Sequence, residues 1–162
     1  MHRSIGFALL LGCGGSSPET SPEPEPVATE LRWRDVTSDD ALSKLAADAR
    51  ANGRGLMLDV RANWCMPCLD LESKTFSDPE VRAVLSRDFV VARLDVTDSS
   101  ADTDALKVRV GGHTIPWVVF WTMTPEDAKA FAEGEVPPPA KTVSTFVSAQ
   151  ELLPLLGALS QP

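Results

Sequence analysis

The 162-residue sequence predicts an α/β sandwich, a central mixed β-sheet flanked by helices, on three observations. Apolar runs bounded by glycine or proline, or rich in β-branched residues, recur as GLMLDVRA (55–62), FVVARLDV (89–96) and PWVVFW (116–121), each the length of a buried strand. Around them lie stretches with apolar residues at helical spacing, opened by helix-start signals. Their order, β-α-β-α-β followed by β-β-α, combines crossover connections with a closing strand pair, which requires a mixed sheet covered by helices.

The elements follow in chain order. Ser38-Asp39-Asp40 opens a helix whose Leu42, Leu45, Ala46 and Ala49 share a face, and Gly53 ends it. The 55–62 run is a strand, and Cys65-Met66-Pro67-Cys68 opens the next helix. Ser77-Asp78-Pro79-Glu80 reads as a capping box with proline in the first turn, starting a helix to about Arg87. After the 89–96 strand, Asp102 to Val110 forms a short helix. The third strand is 116–121, the fourth is KTVSTFV (141–147), and Ser148-x-x-Glu151 caps a last helix through Leu159. Residues 123–139, which include PEDAKAFAEGEVPPP, read as a loop longer than a hairpin needs.

The first thirty residues have a different composition. Arg3 precedes seven apolar or small residues, Ile5 to Leu11, too few for a bilayer span of about 20. The pattern is that of an export signal, and Leu10-Leu11-Gly12-Cys13 resembles the lipobox of bacterial lipoproteins, in which the cysteine is lipidated. Residues 1–13 are therefore expected to be a lipoprotein-type signal ending at lipidated Cys13. Residues 14–30 hold four prolines, four glutamates and no Lys or Arg, the composition of a solvated, disordered tether. Residues 31–162 are then a single domain with 19 acidic and 14 basic residues, net −5. No basic patch points to nucleic acid, and the chain is expected to be a monomer.

Three cysteines are present, and lipid on Cys13 leaves one pair, Cys65 and Cys68. A structural zinc site wants four ligands, and this chain offers one Cys-x-x-Cys, His2 and His113. Copper(I) takes fewer, softer ligands, and Met66 keeps that option open. A disulfide across two residues closes too small a loop to constrain the unfolded chain much. Redox chemistry has the best physical setting, a strand-turn-helix. Cys65 at the helix N-terminus meets unpaired backbone N–H groups and the positive dipole end, which favour thiolate. Cys65 is accordingly expected to be the nucleophile and Cys68, one turn on and less exposed, the resolving thiol. No cofactor beyond this pair is implied.

Two carboxylates stand out. Asp59 interrupts an apolar strand, where an unpaired charge is costly; the alternative is a solvated Met57/Asp59/Arg61 side. Glu72, four residues after Cys68, shares the helix face of the pair, unless it is an ordinary exposed glutamate. A buried acid near the resolving cysteine can accept its proton, and desolvation raises its own pKa towards the working range. Thr114-Ile115-Pro116 leads into the third strand, a place where a cis bond can turn backbone groups towards active-site sulfurs. Trp64 is read as a rim aromatic, His113 as a loop residue, and Trp33, Trp117 and Trp121 as core or partly exposed strand residues.

LDVRANWCMPCLDLESKTFSDPEV (58–81) resembles the thioredoxin-like C-terminal domain of the DsbD family of bacterial thiol:disulfide interchange proteins. The shared pattern is Asp, four residues, Trp, Cys-x-x-Cys, three residues, Glu, then Thr-Phe-Ser-Asp-Pro. It continues through VARLDVT to the Ile-Pro turn. The resemblance implies a thioredoxin-like sandwich, with Cys65 attacking, Cys68 resolving, Asp59 and Glu72 tuning the thiols, and Pro116 as a cis-proline. Trp64, Met66, Pro67, Thr114, Ile115 and Pro116 would meet substrate. The implied activity is protein-disulfide reduction of oxidised periplasmic thiol proteins, with electrons from a separate membrane donor. Lipid on Cys13 would keep the domain near that donor, and Gly14 and Gly15 after the lipobox, where an aspartate is associated with inner-membrane retention, favour the outer membrane. Oxidase or isomerase direction, and a Cu(I)-carrying or redox-sensing lipoprotein, stay open. The family's glycine two before the cis-proline and threonine after it are replaced by Thr114 and Trp117.

Overall fold

A computed structural model describes residues 30–160. The signal and lipidation expected at 1–13, and all of the tether but Glu30, lie outside the described residues. The elements are β1 (Arg34–Asp35), α1 (Asp39–Ala51), β2 (Gly55–Arg61), α2 (Met66–Asp70) continuing as a π-helical turn (Leu71–Thr75), α3 (Pro79–Asp88), β3 (Phe89–Asp95), α4 (Ala101–Arg109), β4 (Trp117–Trp121), α5 (Pro125–Ala132), β5 (Lys141–Val143) and α6 (Ala149–Leu159).

The five strands form one mixed sheet in the order β1-β3-β2-β4-β5. β1 and β2 run parallel to β3, while β4 is antiparallel to both β2 and β5. The architecture is the central mixed β-sheet flanked by helices that the sequence predicts.

Strand alternation divides the core between the two sheet faces. On one face Leu56, Leu58 and Val60 of β2 pack with Leu42, Leu45 and Ala46 of α1, Leu106 of α4 and Phe131 of α5. On the other, Met57 packs with Leu71 and Phe76 after α2, Val81 and Leu85 of α3, and Leu152 and Leu156 of α6. β2 begins at a glycine for a steric reason: a Cβ on Gly55 would lie 2.7 Å from the Phe89 ring and 3.0 Å from the Trp121 carbonyl oxygen.

Several expectations need correction. The 123–139 stretch is not a plain loop: α5 occupies its middle, with Thr124 and Asp127 forming a reciprocal capping box and Pro125 in the first turn. Its Phe131 supplies the apolar contact, edge-to-face with Trp121, the ring centroids 5.4 Å apart. The cap of α3 is Asp78, whose carboxylate accepts from the N–H groups of Glu80 and Val81, and not Ser77, whose hydroxyl donates to the Ser73 carbonyl. β5 is confined to three residues, and the two-residue β1 adds an edge the sequence reading lacks. The burial expected of Asp59 holds: the side of β2 bearing Met57, Asp59 and Arg61 is buried, which sets aside the solvated alternative.

Candidate active site

β2 ends at Arg61, and Cys65 is the N-cap of α2, with extended backbone. The Cys65 carbonyl accepts from the N–H groups of Cys68 (3.0 Å) and Leu69 (3.1 Å), and its Sγ accepts from Cys68 N–H at 3.3 Å. Pro67 fits the first turn because a helix leaves that N–H unpaired. Cys65 and Cys68 are joined as a disulfide. Their exposures are 5% and 3%, so the expected contrast in accessibility is slight in this oxidised state. The turn is tied to the end of β3: Asn63 N–H donates to Thr97 Oγ1 (2.8 Å), and the Trp64 indole donates to the Thr97 carbonyl (3.4 Å).

The Ile115–Pro116 bond is cis. Ile115 and Trp117 pack against the apolar cluster that holds both cysteines, so the turn before β4 and the start of α2 share one end of the sheet. Pro116 is buried and Thr114 exposed. Trp64 (63% exposed) and Met66 (66%) are the most exposed large apolar side chains among the described residues, and they flank Cys65. His113 is an exposed loop residue. Trp33 is half-buried, Trp117 donates its indole N–H to the Val110 carbonyl, and Trp121 is buried.

On the other face of β2 the residues that follow Met57 are charged. Asp59 stands opposite Arg93 of β3, and Arg61 opposite Asp95. The Arg93 Nε lies 3.9 Å from Asp59 Oδ2, and its other arm reaches Glu72 Oε1 at 3.2 Å. Arg61 bridges Glu72 Oε2 (3.3 Å) and Asp95 Oδ2 (3.5 Å). The π-helical turn places Glu72 over this cluster, and the Trp33 ring stacks on the Arg93 guanidinium at 4.3 Å. Asp59 Oδ1 is buried with no hydrogen-bond partner among the described residues, so charge rather than hydrogen bonding holds the carboxylate. Burial pushes the Asp59 carboxyl up to about 6; Arg93 and then Arg61 oppose that rise, while Glu72 and Asp95 add to it.

Asp59 and Glu72 are thus brought together, with two arginines between them. Glu72 is not a buried acid; its side chain is 43% exposed. Arg61, Arg93, Asp95, Thr97 and Trp33 are site residues that the sequence reading does not single out. Arg61 and Arg93 carry the same signal as Asp59, a charge inside an apolar strand.

A family model described as thioredoxin-like matches residues 33–132. The chain belongs to the thioredoxin-like family. Its Cys65–Cys68 disulfide is the kind of pair on which thiol-disulfide exchange depends. It is 36% identical over 126 residues to the thiol:disulfide interchange protein DsbD of Ralstonia nicotianae, covering 72% of this chain and 21% of that protein. The DsbD of Citrobacter koseri is 35% identical over 91 residues, 56% of this chain and 16% of that protein. The chain therefore spans about a fifth or less of the length of these curated relatives. Among solved structures, a thioredoxin from Thermus thermophilus matches with TM-score 0.60 at 23% identity, covering 80% of this chain and 86% of that one. The oxidised C-terminal domain of DsbD from Neisseria meningitidis matches with TM-score 0.56 at 21% identity, covering 76% and 97%. Both likenesses carry the thioredoxin-like fold.

Proposed function

We propose that this protein is a protein-disulfide reductase of the periplasm, held at a membrane, the outer membrane preferred, by lipid on Cys13. The observation that carries the redox chemistry is the Cys65–Cys68 disulfide at a strand-to-helix turn, beside the cis Ile115–Pro116 turn and between exposed Trp64 and Met66. The anchor rests on Leu10-Leu11-Gly12-Cys13. Among the described residues no helix is long and apolar enough to cross a membrane.

In the reduced protein the Cys65 thiolate attacks one sulfur of a client disulfide. That S–S bond breaks, the other client sulfur leaves as a thiolate and takes a proton from solvent, and a mixed disulfide forms. Cys68 gives its proton to the Asp59 carboxylate, and the resulting thiolate attacks Cys65 Sγ. The client's second sulfur leaves with both electrons, and the Cys65–Cys68 disulfide is restored. A dithiol on a membrane protein reduces the pair again by the same exchange. Trp64, Met66, Pro67, Thr114, Ile115 and Pro116 form the surface on which the client chain lies, and Trp117 narrows it. Asp59 and Glu72 tune the thiols.

Two variants test this reading. Reduced Cys68→Ser, mixed with a disulfide-bonded protein, is expected to accumulate a mixed disulfide through Cys65, while Cys65→Ser accumulates none. Equal trapping by both variants would contradict the assigned order of attack. Cys13→Ser is expected to move the protein from the membrane to the soluble fraction; unchanged fractionation would remove the lipid anchor from the account.

A further inference from the structure

A second concave feature lies away from the thiols. A cavity of about 250 Å³ is lined by Glu30, Arg32 and Arg34 from the chain entering β1, Arg54 just before β2, Ser86 of α3, and Val90 and Val91 of β3. β1 pairs only with Ala92 and Arg93, so Phe89, Val90 and Val91 have no strand along that edge among the described residues. β2 and β3 run parallel, and the cavity lies by their N-terminal ends, whereas the cysteines follow the C-terminal end of β2. The seven residues of β2, roughly 20 Å of strand at about 3.3 Å each, separate the two places.

Three guanidinium groups lining one cavity stand out in a domain of net −5, because like charges repel unless an anion lies among them. The carboxylates nearby do not neutralise them. Arg34 reaches Asp48 at 3.7 Å, but both side chains are about half exposed. Arg32 is exposed and makes no ion pair among the described residues. Arg54 spends one terminal nitrogen on the neutral carbonyls of Ser86 (2.7 Å) and Phe89. Asp88 is close enough to feel the Arg54 charge, yet both its oxygens accept from Arg87, at 2.7 and 2.8 Å. Glu30, exposed, is the one carboxylate among the lining residues. Two further polar atoms of the lining, Arg54 Nε and Ser86 Oγ, are buried with no hydrogen-bond partner among the described residues. A buried donor left unpaired is costly, and the oxygen of a ligand would answer it.

We propose that this cavity binds a phosphate-bearing anion, with Arg32, Arg34 and Arg54 facing its oxygens and the Ser86 hydroxyl as a further donor. A guanidinium presents paired N–H donors that match two oxygens of one phosphate, and three such groups suit an anion with several oxygens. A carboxylate, with two oxygens and one charge, would leave part of this donor set unanswered. The space exceeds that of a single water, whose share of the liquid is about 30 Å³. Arg54, tied to two carbonyls, is the fixed member, while Arg32 and Arg34 are the exposed ones. The phosphate has two possible sources, a free phosphate or phosphomonoester and the headgroup of an anionic phospholipid. Only residues 14–30 separate Cys13 from the cavity, so lipid on Cys13 would bring a headgroup within reach. The proposal does not depend on the redox reading.

The test uses the full-length oxidised chain carrying Cys13→Ser, titrated with inorganic phosphate at constant ionic strength. NMR follows the Arg54 Nε–H group and the backbone amides of Ser86 and Val90. Saturable shifts are expected at these groups, and none when chloride replaces phosphate. The double variant Arg32→Gln, Arg34→Gln, both at exposed positions, is expected to weaken phosphate binding about tenfold or more, as loss of charge-assisted hydrogen bonds does. Glu30→Gln, which removes a like charge, is expected to tighten it, and Lys129→Gln, at an exposed cation of α5, to leave it unchanged. Co-sedimentation with vesicles separates the sources. Binding to equal parts phosphatidylcholine and phosphatidylglycerol, absent with phosphatidylcholine alone and lost in the double variant, would assign the site to a lipid headgroup. Saturable phosphate shifts without such binding would assign it to a free phosphate or phosphomonoester. Shifts that never saturate, that chloride reproduces or that persist in the double variant, with no arginine-dependent vesicle binding, would overturn the proposal. Thiol exchange is expected to be unchanged in the double variant; its loss would overturn the placement of a separate site.

Discussion

The two faces of β2 solve the same packing problem in opposite ways. Leu56, Leu58 and Val60 point into a wholly apolar wall shared with α1 and α5, and that wall also receives the cysteines. Met57 begins the other face in the same manner, but the next two positions on it, Asp59 and Arg61, are ionic, and the helix covering them contributes Glu72. Both faces are buried to a similar degree. What differs is position along the strand: the charges lie at the C-terminal end of β2, next to the turn that carries the thiols. A strand that needed only stability would continue its apolar alternation to the end, so the ionic half of this face is best explained by chemistry.

That contrast can be broken in several ways. The largest effect belongs to the pair itself: Cys65→Ser is expected to abolish disulfide exchange, measured by reduction of a disulfide-bonded test protein, with the fold retained by circular dichroism. On the apolar face, Leu58→Ala should cost about 2–5 kcal/mol of stability in denaturant unfolding while leaving the pH profile of exchange in place. On the ionic face the sign reverses. Because the folded-state Asp59 pKa, about 6, lies above the ordinary 3.8, the native state holds a proton that the unfolded chain has released. Stability therefore falls as pH rises between about 4 and 6 and stays lower above that window. Asp59→Asn is expected to stabilise the oxidised protein at pH 8 by up to about 3 kcal/mol, to flatten that pH dependence, and to slow exchange. A destabilised Asp59→Asn protein would mean that the carboxylate is structural. The smallest effect is at the surface: Lys44→Ala removes an exposed ion pair with Asp40 and should change stability by about 0.5 kcal/mol or less.

The same contrast explains what is legible in the sequence. The three long strands, the cysteine turn and the caps at Ser38 and Ser148 are readable because each depends on residues close together in the chain. Asp59 stands out as a charge in an apolar run. Arg61 and Arg93 offer that same cue, but their roles depend on β2 and β3 lying in register, which a local pattern does not contain. Trp33 is further from reach, since its value comes from packing against Arg93, sixty residues along the chain. Helix α5 is hidden by its surroundings: Pro125 in front and Gly134 and three prolines behind resemble loop punctuation, although Thr124 and Asp127 form a proper cap. The π-helical turn, in which Glu72 meets the two arginines, has no sequence signal in the 71–75 segment that sets it apart from ordinary helix.

The central claim, that the pair donates electrons to client disulfides, is tested most directly by its reduction potential, measured by equilibrating residues 31–162 beside the full-length protein in defined thiol buffers at pH 7. A reductase is expected to show a value near that of thioredoxin, about −270 mV or somewhat above. A value near −120 mV, that of a strong oxidant, would contradict it: the reduced pair would be the stabilised state, and the protein would make disulfides in its clients.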